Sequence, residues 1–241
     1  MVNTTQQQRK PMKKTAKILS LAVALFAGLS GTAQAEGFKI GADVVSSYVW
    51  RGSDISYFNN GRGDSPAIQP ALSYTCPDTG LILGAWGSYA FSESNGKSRY
   101  HETDLYLTVP AGPFSLSVTD YYVPVPDNNR TFDFTSDGPN TVEISAGYAK
   151  DNLSLLAAIN VAGNDYDNAK YFEAGYKVYD KDKFTAKAFI GAGNEKQYAP
   201  DKGTGFNVVN VGVTVTKESY SASYVYNPDT EKSNLVFMAS F

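Results

Sequence analysis

The chain has 241 residues, with 21 lysines and arginines, 24 aspartates and glutamates, and one cysteine. A single cysteine excludes an internal disulfide, and the acidic balance offers no basic patch, so we expect no nucleic-acid partner. The 17 tyrosines fit a protein whose side chains meet both an apolar and a wet surface.

The first 35 residues have the features of a secretory signal peptide. Three lysines lie between residues 13 and 17, residues 18–29 are small and mostly apolar, and an A-x-A cleavage site ends at Ala35. The apolar stretch is too short to span a bilayer, which takes about 20 residues. We therefore expect a secreted chain that is cleaved after Ala35, with residues 36–241 as one domain.

Translation could start at either of two methionines. Met12 would begin a signal peptide of ordinary length, whereas Met1 gives a longer one. Beyond residue 35 the formal charge is 16 − 24 = −8. No long apolar run follows, which excludes helical membrane spans.

Twelve later segments alternate apolar and polar side chains. In the tenth, for example, Val209, Val211, Val213 and Val215 oppose Asn210 and its neighbours of the same parity. A membrane barrel must close on itself, because lipid cannot satisfy the free edge of a sheet, and bacterial barrels have even strand numbers. We predict an all-β fold, a transmembrane antiparallel β-barrel of about 12 strands in an up-and-down meander. The predicted strands are 38–51, 66–76, 81–91, 100–109, 114–123, 141–149, 153–162, 171–179, 184–192, 206–216, 219–226 and 233–241.

The connections alternate between tight turns and longer loops, which is typical of barrels in the outer membrane of Gram-negative bacteria. We therefore place the turns and both termini in the periplasm, and expect lipid and lipopolysaccharide as partners. The terminal Phe241 predicts contact of the last strand with the barrel-assembly machinery. Two aromatic girdles are predicted at the membrane interfaces: an outer one of Tyr48, Trp50, Tyr89, Phe91, Tyr122, Phe172, Phe206 and Tyr226, and an inner one of Tyr74, Phe114, Tyr148, Phe184, Tyr220 and Phe241.

The polar parity of the strands predicts which side chains line the lumen. They carry both signs of charge, which favours a narrow pore of weak ion selectivity or a lumen filled by cross-strand pairs. The predicted lumen-lining residues are Lys39, Asp43, Arg51, Gln69, Glu102, Asp104, Glu143, Glu173, Lys177, Lys187 and Asn210.

Catalysis and metal binding have weak support. The one histidine, His101, falls on the outward parity, away from Ser88, and no G-x-S-x-G elbow is present, so a lipid hydrolase is the remote alternative. Residues 164–168 are rich in oxygen ligands but lack the glycine and distal glutamate of a calcium loop. We predict no enzyme activity, no catalytic residue, no cofactor and no metal.

Four ordered motifs resemble the TorF-type porins, a family of Gram-negative proteins of similar length that is also catalogued as a domain of unknown function. They are Ser47-Tyr48-Val49-Trp50-Arg51-Gly52, Pro66-Ala67-Ile68-Gln69, Gly84-Ala85-Trp86-Gly87-Ser88 and Glu102-Thr103-Asp104-Leu105-Tyr106. The resemblance implies an outer-membrane barrel and a porin role, with no substrate and no catalytic residue.

The function expected from the sequence is passive diffusion of small hydrophilic solutes through a narrow lumen of mixed charge. The alternative is a structural or surface-interaction barrel with a plugged lumen and no transport.

Overall fold

The computed structural model describes residues 33–35, 37–55, 65–92, 99–124, 128–164, 167–200, 203 and 205–241. Most of the predicted signal segment and Glu36 lie outside these ranges. The last three residues of that segment form a short strand, which pairs with the residues that follow Gly37. The division of the chain at Ala35 stays a prediction.

Within these ranges the secondary structure is almost entirely β. The elements are β1 (Ala33–Ala35), β2 (Phe38–Val45), β3 (Val49–Trp50), β4 (Ser53–Asp54), β5 (Ala67–Thr75), β6 (Ile82–Ala90), β7 (His101–Ala111), β8 (Phe114–Tyr122), β9 (Asn140–Lys150), β10 (Leu153–Gly163), β11 (Lys170–Lys181), β12 (Phe184–Gly193), α1 (Glu195–Tyr198), β13 (Asn207–Lys217), β14 (Tyr220–Asn227) and β15 (Lys232–Ser240). No helix in the described ranges is long and apolar enough to cross a membrane.

Twelve strands, β2 and β5–β15, form one closed antiparallel barrel in which each strand pairs with the next along the chain. The last strand closes the ring on the first through three residue pairs, Met238 with Val45, Ala239 with Val44 and Ser240 with Asp43. The predicted all-β, up-and-down barrel of twelve strands is confirmed. Eleven of the twelve predicted strands agree with the observed bounds to within about two residues, as antiparallel alternation allows.

The two ends of the barrel differ. At one end, which we call the turn end, the first barrel strand begins, the last barrel strand finishes and the connections are short. In one of these connections, Asp182-Lys183, positive φ angles of 54° and 66° give the type I′ geometry that suits a twisted hairpin. The other end, the loop end, carries the longer connections. Because strands run from one end to the other, a residue's place along its strand fixes its depth inside the barrel.

The two faces of the wall have opposite chemistry. Along β7, Leu105 and Leu107 are exposed on the outside, whereas Glu102, Asp104 and Thr108 are buried. Because the wall is one sheet thick, a buried side chain of a barrel strand points inside. The barrel is therefore apolar outside and polar inside, which inverts the usual arrangement of a water-soluble protein.

The first predicted strand, 38–51, is wrong in its second half. Strand β2 ends at Val45, and residues 46–55 turn into the barrel as the interior hairpin, which contains β3 and β4. Tyr48 and Trp50, predicted for the outer girdle, instead lie inside, where Tyr48 is 8% exposed and Trp50 packs against Tyr198. Alternation alone does not separate these cases, because an aromatic ring can be buried by lipid or by the barrel's own interior.

A β-bulge overturns the predicted orientation of Val209. In the pairing of β12 with β13, Gly191 faces Asn210 while Ala192 faces Val208, so Val209 is an extra residue. Its side chain is fully buried, whereas Val208 is 40% exposed. A bulge shifts the alternation by one residue, so the four-valine pattern misplaced this side chain.

The connection between β8 and β9 is held by its own hydrogen bonds. The Asp133 carboxylate accepts from the Thr135 hydroxyl at 2.7 Å and from its backbone N–H at 3.2 Å, and Asn128 donates to its other oxygen at 3.3 Å. These bonds lower the pKa of the Asp133 carboxyl. Phe132 and Phe134 remain exposed on this loop.

Candidate functional site

The tip of the interior hairpin is a tight turn with special backbone angles and no space for a side chain at its second residue. Val49 pairs with Asp54 and Trp50 with Ser53, which leaves Arg51 and Gly52 as a two-residue turn. Both have positive φ, 49° and 86°, as a type I′ turn requires. A Cβ atom on Gly52 would lie 1.8 Å from the Val209 carbonyl oxygen of β13. The turn therefore rests on β13, three strands round the barrel from β2.

The base of the hairpin packs on another side of the barrel. The Tyr48 ring lies 5.4 Å from that of Trp86 on β6 and 6.1 Å from that of Tyr100, next to β7. Since the tip touches β13, the hairpin crosses the interior from one wall to another. It narrows the lumen at the level of these contacts.

The Arg51 guanidinium is held by a buried carboxylate. Its Nη1 donates to Glu143 Oε2 at 2.5 Å and its Nη2 to Glu143 Oε1 at 2.9 Å, a bidentate pair across 92 positions of sequence. The Glu143 side chain is 1% exposed and that of Arg51 is 5% exposed. A third bond runs from Nη1 to the Tyr198 hydroxyl oxygen at 2.6 Å. Such charge-assisted forked bonds are among the strongest in proteins.

Aromatic rings surround the same guanidinium. The Arg51 Cζ atom lies 4.5 Å from the centroid of Trp50, 4.6 Å from that of Tyr171 and 5.6 Å from that of Tyr198. These are cation–π distances. We call Glu143, Trp50, Tyr171 and Tyr198 the Arg51 cage.

A second layer of hydrogen bonds fixes the cage. Tyr121 donates its hydroxyl to Glu143 Oε1 at 3.2 Å. Tyr171 donates to Glu173 Oε2 at 2.7 Å, and the Asn210 side-chain amide donates to both the Tyr171 hydroxyl, at 2.9 Å, and Glu173, at 3.0 Å. Strands β8, β9 and β13 thus each contribute one residue to this network and β11 contributes two, which fixes the cage from several sides.

The cage depends on the connection after β12, which was predicted as a loop. There α1 makes a single helical turn and directs Tyr198, which is 2% exposed, towards Trp50 and Tyr171. Gly193 leaves room for it, since a Cβ there would lie 2.5 Å from the Tyr198 Cβ.

Several further carboxylates face the interior without a basic partner. Tyr100 donates to Glu102 Oε2 at 2.7 Å, and one oxygen each of Asp43 and Asp104 is buried without a hydrogen-bond partner in the described part of the chain. In that part, Arg51–Glu143 is the one ion pair with both side chains buried. The level of the hairpin is therefore rich in carboxyl groups.

Lysines lie nearer the turn end. Lys177 on β11 faces Lys187 on β12 directly, and Lys177 also pairs with Asp180. Lys177 is four residues from Glu173, which at roughly 3.3 Å per residue puts it about 13 Å closer to the turn end. Small hydroxyls share this region, as in the 2.8 Å contact of Thr108 with Ser117. The interior is thus acidic towards the loop end and basic towards the turn end.

The residues predicted to line the lumen fall into two groups by burial. Lys39, Glu173, Lys177 and Lys187 are half-buried. The other seven are buried, namely Asp43, Arg51, Gln69, Glu102, Asp104, Glu143 and Asn210. Arg51 comes from the hairpin rather than from a barrel strand. Contact of these residues with a permeating solute stays a prediction.

The sequence interpretation missed the aromatic part of the site. Tyr121 and Tyr171 share the inward parity of Thr119 and Glu173 on their strands, so the alternation could have found them. Trp50 and Tyr198 carried no such signal, because their positions depend on the path of the hairpin and of α1.

Placement also bears on the catalytic and metal alternatives. His101 is exposed, with Nδ1 3.2 Å from the Arg99 carbonyl oxygen, while Ser88 is fully buried and contacts Gln69. In the oxygen-rich segment 164–168, residues 165 and 166 lie outside the described residues. Among all the residues that the structure describes, no group of three or more His, Cys, Asp or Glu side chains could hold a metal ion.

A family profile covers residues 30–240, nearly the whole chain. The chain belongs to Gcw_chp, a family of bacterial proteins of unknown function. The match does not carry the TorF name, which stays a prediction. No curated protein matches the chain.

Solved structures similar to this chain include two mutants of the porin of Rhodopseudomonas blastica. The first has a TM-score of 0.39 and 12% identity, and covers 84% of this chain and 98% of the porin chain. The second has a TM-score of 0.38 with the same identity and coverage. The assignment of the fold rests on the strand pairing itself.

Proposed function

We propose that this protein is a porin-type barrel of the bacterial outer membrane, through which small hydrophilic solutes diffuse passively. The observation that carries the proposal is the inverted wall, with leucine, valine and phenylalanine side chains exposed outside and charged or amide side chains buried inside. Such a wall suits lipid on one side and water on the other. The predicted signal peptide and the long connections at one end support the same location.

The interior hairpin sets the constriction in this proposal. It crosses the lumen and is attached at its tip by Arg51, Gly52 and the cage. Solutes pass beside the hairpin or after it moves, so we expect small conductance steps with closures. The half-buried Lys39, Lys177 and Lys187 and the carboxylates near the hairpin favour weak ion selectivity, since rings of one charge are what select strongly.

A plugged barrel without transport is the second candidate, and the crossing hairpin favours it. The two functions differ in what the hairpin does. In a porin it is a movable constriction, whereas in a structural barrel it is a fixed part of the core.

Single-channel conductance in a planar bilayer tests the proposal, with the refolded full-length barrel and a salt gradient across the membrane. Discrete steps from the wild-type protein would support the porin. If the folded protein is silent both as wild type and after residues 47–55 are replaced by a short glycine–serine linker, which leaves the Ser46 contact with β15 intact, a porin role is excluded. Steps from the linker variant alone would identify the hairpin as a closed gate.

A further inference from the structure

The Arg51 cage has the complete chemistry of a guanidinium site. A guanidinium is planar, binds a carboxylate through two parallel bonds and stacks on aromatic faces. The Arg51 head uses Glu143 for the paired bonds, Tyr198 as a further acceptor and three rings as walls. The Arg51 guanidinium itself thus shows that a guanidinium group fits the cage.

Most of the cage belongs to the barrel and not to the hairpin. Glu143 lies on β9, Tyr171 on β11 and Tyr198 on α1, while Trp50 alone belongs to the hairpin. When the hairpin leaves, two rings, a hydroxyl acceptor and the carboxylate remain. A carboxylate in the interior that has lost its partner is unfavourable until it takes up a proton, is hydrated or binds another cation, and a cation of the same shape restores every lost contact.

The carboxyl groups around the cage also favour a cation over an anion. Glu173 is bonded to the Tyr171 hydroxyl of the cage, and Asp104 lies on β7 opposite Tyr121, which itself contacts Glu143. Lys170, next to Tyr171 on β11, has the outward parity of Phe172 and donates its Nζ to the Asn168 carbonyl oxygen. The nearest lysine of β11 that shares the inward parity of Glu173 is Lys177, about 13 Å along the strand towards the turn end. A cationic solute that enters from the loop end meets the carboxylates first.

We propose that the Arg51 cage is a recognition site for the guanidinium group of a permeating solute, which takes the place of the Arg51 head when the hairpin leaves the interior. The inference rests on the proposed function, because a solute reaches the cage only through an open barrel. It names the class of solute, namely small guanidinium compounds. A primary ammonium binds less well, because its point charge does not match the bidentate carboxylate.

The test uses methylguanidinium as the probe and Arg51→Ala as the emptied cage. Titration calorimetry on the refolded full-length protein in detergent, at constant ionic strength, should show saturable binding to R51A and much weaker binding to the wild type, because its own Arg51 head competes for the cage. Methylammonium should bind R51A at least about tenfold more weakly. Adding Glu143→Gln to R51A should weaken methylguanidinium binding by at least about tenfold.

Lys187→Ala is the matched control, since it also removes an interior cation but one that lies outside the cage. It should bind methylguanidinium no more tightly than the wild type does. If R51A folds poorly, its refolded yield becomes the measurement, and methylguanidinium should raise that yield for R51A but not for the R51A/E143Q pair. A folded R51A protein without saturable binding, or with binding that Glu143→Gln leaves unchanged, would overturn the assignment.

Bilayer recordings separate this inference from the proposed function. Conductance of R51A that methylguanidinium blocks at the concentrations at which it binds would support both. Conductance of R51A without block or binding by methylguanidinium would support the porin function and overturn the cage as a recognition site. Binding of methylguanidinium without conductance in any variant would overturn the porin function, and with it the proposal that the bound solute passes through the barrel. The cage would then be a guanidinium-binding site only.

Discussion

Arg51 and Glu143 form a bidentate ion pair inside the barrel, although 92 positions separate them and Arg51 belongs to no barrel strand. The pair joins the tip of the interior hairpin to the wall at β9. Both side chains are almost completely buried. The tip of the hairpin is therefore attached to β9 by a charge–charge contact that solvent does not screen.

Glu143→Gln should loosen the hairpin and destabilise the barrel. Loss of one partner of a buried ion pair costs about 3–5 kcal/mol, and the glutamine amide, which still accepts one bond, places the cost near the lower end. Urea unfolding in detergent micelles measures this cost. Glu173→Gln is the control, because Glu173 is half-buried and accepts bonds from neutral groups. Equal losses in the two variants would contradict the role of the ion pair.

Gly52→Ala should displace the tip of the hairpin. The new Cβ would meet the Val209 carbonyl oxygen at 1.8 Å, in addition to the positive-φ cost of about 1–2 kcal/mol. Limited trypsin digestion reports the movement, because cleavage after Arg51 requires its exposure. Gly112→Ala is matched, since its φ is 64° but nothing lies within 4 Å of a Cβ there. Resistance of G52A to trypsin at Arg51 would show that the tip adapts without leaving the wall.

The inverted wall predicts the reactivity of single cysteines in liposomes. In a Cys76→Ser background, Lys187→Cys should react with a charged, water-soluble thiol reagent, because its side chain is inside and half-buried. Leu105→Cys should resist the same reagent, because its side chain points outward into lipid in the proposed location. The reverse pattern would contradict the proposed membrane location.

The loop between β8 and β9 should stay ordered in mild acid. The lowered pKa of Asp133 means that its hydrogen bonds stabilise the folded loop above the ordinary aspartate value of about 3.9, and that this contribution is lost as the pH falls through the lower folded value. Pepsin cleavage at the exposed Phe132 and Phe134 should therefore rise only below pH about 3.9. Asp133→Asn should already be cleaved above it, and wild-type cleavage there would contradict the prediction.

Side-chain alternation predicted eleven strands well because each barrel strand has one apolar and one polar face along its whole length. Strand β9 is such a case, with Ile144 exposed and Glu143 buried. The same rule failed for residues 46–51, because their side chains continue the alternation of β2 although the strand itself ends at Val45. The physical difference is what covers Tyr48 and Trp50, and that depends on side chains far away in the sequence, such as Trp86 and Tyr198.

The charged part of the candidate site could be predicted because most charges in the middle of the barrel strands face inward, away from lipid. The arrangement of these charges could not, since it requires the depth of each residue and the path of the hairpin. Gly52 gave a local turn signal directly after Arg51, but a turn signal does not say whether the turn points outward or into the lumen. The bulge at Val209 was hidden for a different reason, because the valines alternate without a break from Val209 to Val215 and so fix the wrong parity.

The seam between β2 and β15 has a consequence for how the chain folds. Ser46 and Phe237 hydrogen-bond across the seam at a separation of 191 positions, so the first barrel strand finds its second neighbour only when the last strand is present. Every earlier intermediate is an open sheet with two unpaired edges, which can join other chains. Such non-local closure makes folding slow. A truncation that removes β15 should therefore prevent the ring from forming and leave an aggregation-prone chain, rather than produce a smaller stable barrel.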